Sequence, residues 1–231
     1  AYVRPTRASA REVSGALRKS FWALTLPPFV LGGMYFGVFT ATEAAATGAL
    51  WALIIAGVIY RGLGPGDIWQ GAAEAARTTA VLFMIIIAAG LFGYMLTILR
   101  IPAEIVALVA RHDVSKYEFL IAAMALIFVL GLVLESISII LITTPVLLPV
   151  LDALGIDKVW YGVLLTINLE LALISPPVGM NLIVIKSITK ASLTEIDKAA
   201  VPYMLMLMLG IAILIAVPGI ALWLPSTMAY Q

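Results

Sequence analysis

The sequence predicts an all-α polytopic membrane protein with transmembrane helices, one re-entrant helical hairpin and one helix broken at a proline pair. Three observations predict it. The 231 residues are 63% hydrophobic and only 12% charged, where a soluble domain carries about 25% charged residues, and mean hydropathy is +1.10. Apolar runs recur along the chain at or below the ~20 residues that a bilayer-crossing helix needs. The run Ser175-Pro176-Pro177-Val178-Gly179-Met180-Asn181 interrupts one of the most apolar stretches. Adjacent prolines lack N–H donors and clash with the preceding turn, so a helix cannot pass through them unbroken. Irregular backbone at membrane depth survives only where protein buries it or a polar cavity solvates it.

Residues 1–20 form a basic segment with Arg4, Arg7, Arg11, Arg18 and Lys19 against the single acid Glu12. It reads as a loop or interfacial helix on the cytoplasmic side by the positive-inside rule. The chain starts at Ala1 without Met and with no signal-peptide pattern, so it is expected to be a piece of a longer protein. Residues 21–118 read as scaffold-type helices and connections. Phe21 to Phe39 is the first span, with Pro27-Pro28 and Gly32-Gly33 inside it. Thr40-Ala41-Thr42-Glu43 is a polar interruption that suits a helix cap. Ala44 to Tyr60 is the second span, closed by Arg61; residues 61–79 are a polar amphipathic connection; Ala80 to Leu99 is the third span. Residues 100–118 are a mixed-charge connection.

Residues 119–185 carry the hairpin and the broken helix. Phe119 to Leu134 and Ile139 to Val150 are apolar arms around Glu135-Ser136-Ile137-Ser138, the second arm broken by Thr143-Thr144-Pro145 and Pro149. Each arm is short for a crossing, which predicts a hairpin that enters and leaves on one side. Trp160 to Ile185 is the broken helix. Residues 186–231 are a polar loop, Lys186 to Lys198, and a final span, Val201 to Leu224. The topology is consistent. With residues 1–19 inside, 100–118 and 152–158 fall outside, Lys186, Lys190 and Lys198 fall inside, and the C-terminus ends outside.

Composition excludes several functions. The net charge of +1 and the absence of Cys give no basis for nucleic-acid binding, disulfides, thiol catalysis or a transition-metal site. The one histidine, His112, sits in the polar connection Arg111-His112-Asp113 and has no assigned role. No phosphate-binding, dinucleotide or zinc motif is present, so the chain is read as a transporter and not an enzyme.

The residues that could carry function cluster at the two interruptions. Glu135 sits between apolar arms, where an ionised carboxylate is costly and usually functional, although it could also reach an interface or pair with a lysine. Ser136 and Ser138 add hydroxyls. At the break, unwound carbonyls with Ser175 and Asn181 offer neutral oxygen ligands for a hard alkali cation, and Gly179 permits close approach. The alternative is a plain proline kink. Thr143 and Thr144 could satisfy carbonyls freed by Pro145 or face a cavity. Glu170, accompanied by Asn168, is a second intramembrane acid, either a salt-bridge partner or a pathway residue. The nine Met residues, several near Met204, Met206 and Met208, suit lipid-facing or packing positions.

Four segments, in order, resemble the C-terminal half of the large membrane permease subunit of TRAP transporters, the DctM-like component of the tripartite ATP-independent periplasmic family. They are Gly32-Gly33 through Gly37 to Thr40-Ala41-Thr42-Glu43; Leu134-Glu135-Ser136 running into Thr143-Thr144-Pro145 and Pro149; Pro176-Pro177-Val178-Gly179-Met180-Asn181; and Leu222-Trp223-Leu224-Pro225. The sequence departs from the family at Ala41, more often Pro, and at Glu135, commonly Asp. The resemblance implies one half of an inverted-repeat elevator transporter in the bacterial inner membrane. It implies sodium-coupled uptake of an organic acid such as a C4-dicarboxylate or sialic acid. It also implies three partners: a periplasmic DctP-like binding protein, a small DctQ-like membrane subunit and the N-terminal half of the same permease. No cofactor is implied beyond Na⁺ as coupling ion, held between hairpin tip and break by Ser136, Ser138, Ser175, Gly179 and Asn181. Two other readings remain: a sodium–anion symporter that works without a binding protein, and a membrane scaffold module without an ion site.

Overall fold

A computed structural model describes residues 9–176, 179–189 and 191–228, all helix or connection. Pro177, Arg4, Arg7 and Lys190 lie outside the described residues. Among the described residues eleven α-helices and one π-turn follow in order: α1 Ala10–Leu24, α2 Leu26–Tyr35, α3 Ala41–Ile54, the π-turn Ile55–Ile59, α4 Pro65–Ile98, α5 Ile101–Arg111, α6 Lys116–Gly131, α7 Ser136–Ala153, α8 Lys158–Leu173, α9 Met180–Ile188, α10 Leu193–Ala216 and α11 Gly219–Thr227. Four stretches are long and apolar enough to cross a membrane: Ala41–Ile59, Pro65–Ile98, Ser136–Ala153 and Leu193–Ala216. The all-α polytopic membrane architecture expected from composition is the one observed.

Several segments read from the sequence as connections, and the basic segment read as a loop or interfacial helix, are helical. The basic segment is helix from Ala10, and the first apolar span is divided between α1 and α2. Residues 65–79 are the first half of α4, a single helix of 34 residues, about 51 Å at 1.5 Å per residue. The polar side chains that suggested a loop, such as Asp67, Gln70, Glu74 and Arg77, are exposed on that helix. Residues 101–111 form α5, and the loop placed at 186–198 shrinks to the few residues between α9 and α10. The last span is α10, and α11 restarts after Val217-Pro218. Pro145 and Pro149 do not break α7, which runs without interruption from Ser136 to Ala153.

Helix starts repeat one device. Ser9, Thr40, Ser115 and Ser192 each cap a helix in a reciprocal box with Glu12, Glu43, Glu118 and Glu195, three residues on. The side-chain oxygen takes an orphan N–H, and the glutamate takes the cap's own N–H. The capping reading of Thr40 and Glu43 is the one the structure shows.

The chain divides into two compact units, Ala1–Arg77 with Ser226–Gln231, and Thr78–Pro225. In the first, α2 packs on α3 through an aromatic cluster: Phe29 lies 5.7 Å from both Trp51 and Phe39, and Trp22 lies 6.4 Å from Trp51. The Trp51 Nε1–H donates to Thr25 Oγ1 at 3.1 Å. In the second, α8 is the central helix. Trp160, Tyr161, Leu164, Leu165, Leu169 and Ala172 are all buried. α6 packs against one side of α8 and α10 against another. Two polar bonds fix these contacts: Asn168 Nδ2 donates to Met124 O in α6 at 2.9 Å, and Trp160 Nε1 donates to Leu214 O in α10 at 2.9 Å. α7 packs mainly on α5.

The hairpin and the end of α8 meet at two small residues. A Cβ on Gly131, the last residue of α6, would lie 2.6 Å from Ala172 Cβ, with Ile139 of α7 and Leu169 of α8 just beyond. No side chain at position 131 fits without displacing a helix. Gly131→Ala is therefore expected to destabilise by about 1–3 kcal/mol through overpacking. Adding Ala172→Gly should restore most of the loss. Thermal unfolding of both variants in detergent checks this, and a double variant no better than the single one refutes the contact.

The Glu12 carboxyl is held below the usual carboxylate range, first by the Ser9 backbone N–H and then by its hydroxyl. A depressed folded pKa stabilises above the unfolded value and is lost as pH falls through the folded one. A peptide of residues 9–24 in zwitterionic micelles should therefore keep its first turn above pH 4.5 and lose helicity below it. Circular dichroism of that peptide and of its Glu12→Gln form checks this, since the acid step should vanish in the variant.

Candidate functional site

The candidate site lies in the second unit, where the turn between α6 and α7 meets the end of α8. The hairpin arms α6 and α7 have 16 and 18 residues, about 24 and 27 Å; the sequence reading took both as short for a crossing, but α7 is long and apolar enough to cross a membrane. Glu135 is the N-cap of α7 and exposed, and its Oε2 accepts from the Ser138 backbone N–H at 3.2 Å and lies 3.5 Å from Ser138 Oγ. Ser136 and Ser138 are half-buried. Ser138 also lines a cavity of about 310 Å³ between α7 and Ile85, Ala88, Ala89 and Phe92 of α4. Its hydroxyl is therefore the polar feature of an otherwise apolar chamber.

At the break, α8 ends at Leu173 and α9 begins at Met180. Ser175 is 1% exposed. Its hydroxyl donates to Leu171 O at 2.6 Å and its N–H to Ala172 O at 3.1 Å, closing the last turn of α8. Both Oγ lone pairs stay available as acceptors. Gly179 caps α9 at φ +47°, buried. A Cβ there would lie 2.8 Å from Leu182 Cδ1 and 3.2 Å from Ser175 O, so glycine is required both by the dihedral and by the close carbonyl. Asn181 is exposed in the first turn of α9, and Pro176 is exposed.

The other candidates separate from this pair. Thr143 and Thr144 donate to Ile139 O and Ile140 O. The carbonyl that Pro145 frees is that of Leu141, four residues before it, so the threonines do not serve the role suggested for them. Glu170 is exposed, and among the described residues the one ion pair is Lys158–Asp152 at 2.9 Å, so no salt bridge holds Glu170. The structure thus brings Glu135 to Ser138, and Ser175 to Gly179. Among the described residues no hydrogen bond joins the two groups, and the contact they share is Gly131 with Ala172. Sequence reading missed both of these residues. A Gly ending one apolar run and an Ala near the end of the next were the available signal, because small residues mark close helix approach in membranes.

Helix starts differ in how their first N–H groups are met. Ser, Thr, Glu or Asp side chains cap α1, α3, α6, α7, α8 and α10. α2 and α5 lack a side-chain cap but carry proline in their first turn, which removes an orphan N–H. α9 has neither. Its first N–H groups, beside Ser175, are left to whatever else can accept from them.

Residues 1–220 match the family model described as the DctM component of the tripartite ATP-independent periplasmic transporter. The chain is 35% identical over 220 residues to the C4-dicarboxylate TRAP transporter large permease protein DctM of Pseudomonas aeruginosa, covering 95% of this chain and 52% of that protein. It is 33% identical to the ectoine TRAP transporter large permease protein TeaC of Halomonas elongata, covering 94% and 51%. It is 30% identical to the sialic acid TRAP transporter large permease protein SiaM of Vibrio cholerae, covering 97% and 53%. The chain spans about half the length of these relatives. The match runs through both units and across the hairpin and the break, and by it the chain belongs to the DctM family of TRAP transporter large permeases.

Proposed function

We propose that the chain forms the C-terminal half of a sodium-coupled permease of the elevator type. In this reading it moves an organic acid, a C4-dicarboxylate, sialic acid or related carboxylate, delivered by a periplasmic binding protein, with a small membrane subunit beside it in the inner membrane. The observation that carries the reading is the uncapped start of α9 beside the buried Ser175. Carbonyls at the C-terminal end of a broken helix attract a cation, and free N–H groups at the start of the next attract a carboxylate. A permease that couples the two needs both at one place. The names of the relatives point to solutes as different as C4-dicarboxylates, ectoine and sialic acid, which suits a shared ion site beside a variable solute site.

The roles follow from chemistry. The Ser175 carbonyl and hydroxyl supply neutral oxygens, Gly179 lets the backbone turn close to them, and Asn181 adds an amide oxygen. Ser136 and Ser138 supply the facing hydroxyls. Glu135 holds the first turn of α7 and adds negative charge near the ion. Hairpin and broken helix travel as one body because Gly131 and Ala172 interlock.

Uptake by the full-length permease, with its small subunit and binding protein, in proteoliposomes tests this. Asn181→Ala should raise the sodium concentration for half-maximal uptake about fivefold, the effect of losing one ligand of about 1 kcal/mol. An unchanged sodium dependence at normal expression removes Asn181 from the site. Uptake that persists without the binding protein refutes the delivery step.

A further inference from the structure

We propose that the first unit binds anionic phospholipid headgroups at a corner formed by Arg18, Lys19 and Arg61. The inference rests on the membrane architecture and not on the ion or solute chemistry. A bond that sequence spacing does not announce ties the end of the second span, where Arg61 follows, to the turn of α1 that carries Arg18 and Lys19: the Tyr60 hydroxyl donates to Lys19 O at 2.8 Å. Tyr60 ends the second span, after the π-turn, and Arg61 follows at φ +50°. That left-handed residue turns the chain out of the span beside the middle of α1.

The position is an interfacial one. Tyr and Trp concentrate at the headgroup level, and Tyr60 sits at the end of the span Ala41–Ile59. α1 is amphipathic. Val13, Leu17, Phe21 and Leu24 recur at helical spacing and are 47–57% exposed, so one apolar stripe faces away from the protein. Arg11 and Arg18 flank it, and from Lys19 beside Tyr60 to Thr25 beside Trp51 the helix follows the span inward, so basic side chains reach the headgroups while the apolar ones meet acyl chains.

The positive charge is uncompensated. Among the described residues no carboxylate pairs with Arg18, Lys19 or Arg61. The nearby acids are engaged locally: Glu12 Oε2 accepts from Ser9 N–H at 2.7 Å, and Asp67 Oδ2 from Gly64 N–H at 2.8 Å. An acidic peptide would match the charges but leave the apolar stripe in water. An anionic phospholipid satisfies both, headgroup on the cations and acyl chain along the stripe.

Lipid titration of the purified full chain in neutral detergent, read by native mass spectrometry, tests this with phosphatidylglycerol and phosphatidylcholine. Phosphatidylglycerol should bind more tightly, and the preference should fall as salt rises, since exposed charges are screened. Each basic residue near an anionic surface contributes about fivefold. The variant Arg18→Gln/Lys19→Gln/Arg61→Gln should therefore weaken phosphatidylglycerol binding at least about tenfold and leave phosphatidylcholine binding unchanged. A control, Lys116→Gln/Lys186→Gln/Lys198→Gln, should keep the preference. Equal phosphatidylglycerol affinity in the first variant and the wild type, or an equal loss in the control, overturns the proposal. Sodium-dependent uptake is a separate readout, so failure here leaves the transport reading standing.

Discussion

Helix ends are the constraint on which this structure depends. Each end leaves four backbone groups without a partner, and in hydrocarbon every unmet group costs several kcal/mol. The chain meets that demand from its own side chains at six helix starts, four of them by the same Ser or Thr box with a glutamate. Glutamates that would be costly in an apolar stretch are thereby placed where backbone N–H groups stabilise their charge. Glu135 is the variant of this device at the hairpin tip. One side chain does the work of the box, with its carboxylate on the Ser138 N–H. By contrast, α9 starts at Gly179 with no side-chain cap bond among the described residues.

Packing around α8 turns local breaks into one arrangement. A proline break alone would leave α8 and α9 loosely related. Here α8 is clamped to α6 by Asn168 and to α10 by Trp160. Each bond ends on a backbone carbonyl, so each fixes helix depth as well as distance. Bonds of this kind inside membranes average below about 1 kcal/mol each. Their value lies in register: they set which turn of α6 faces which turn of α8. With that register Gly131 meets Ala172, and the hairpin tip is delivered to the end of α8. The Tyr161 hydroxyl is buried with no partner among the described residues, which adds to the cost that this core carries.

Much of this was legible in the sequence because the governing signals are local. Apolar run length marked the hairpin, the Pro176-Pro177 pair marked the break, and Thr40 with Glu43 marked a cap. What was misread depended on tertiary context. Polar residues from Asp67 to Arg77 suggested a loop, but a helix leaving the membrane carries polar side chains without ceasing to be a helix, and α4 does so. Thr143-Thr144-Pro145 suggested a break, yet α7 absorbs both of its prolines. Pro145 packs its ring against the small surface of Gly93 in α4, where an added Cβ would lie 3.2 Å from the ring. The site pairs Glu135–Ser138 and Ser175–Gly179 were each readable from spacing. The contact between them was not, because it rests on two residues with almost no side chain.

The least buried candidate spans show what the fold still requires. In α4 and α10, 11% of the most apolar window is buried within the chain. α8, by contrast, is enclosed on several sides. Burying apolar area is what stabilises a helix against water, at about 25 cal/mol per Å², and these two helices obtain little of it from their own chain. Lipid can supply an apolar surrounding for every exposed leucine, but it cannot accept from the backbone N–H groups at the start of α9 or ligate the carbonyl of Ser175. The two kinds of exposed surface therefore call for different neighbours. The apolar flanks of α4 and α10 are satisfied by bilayer, whereas the polar groups at the break call for polar partners.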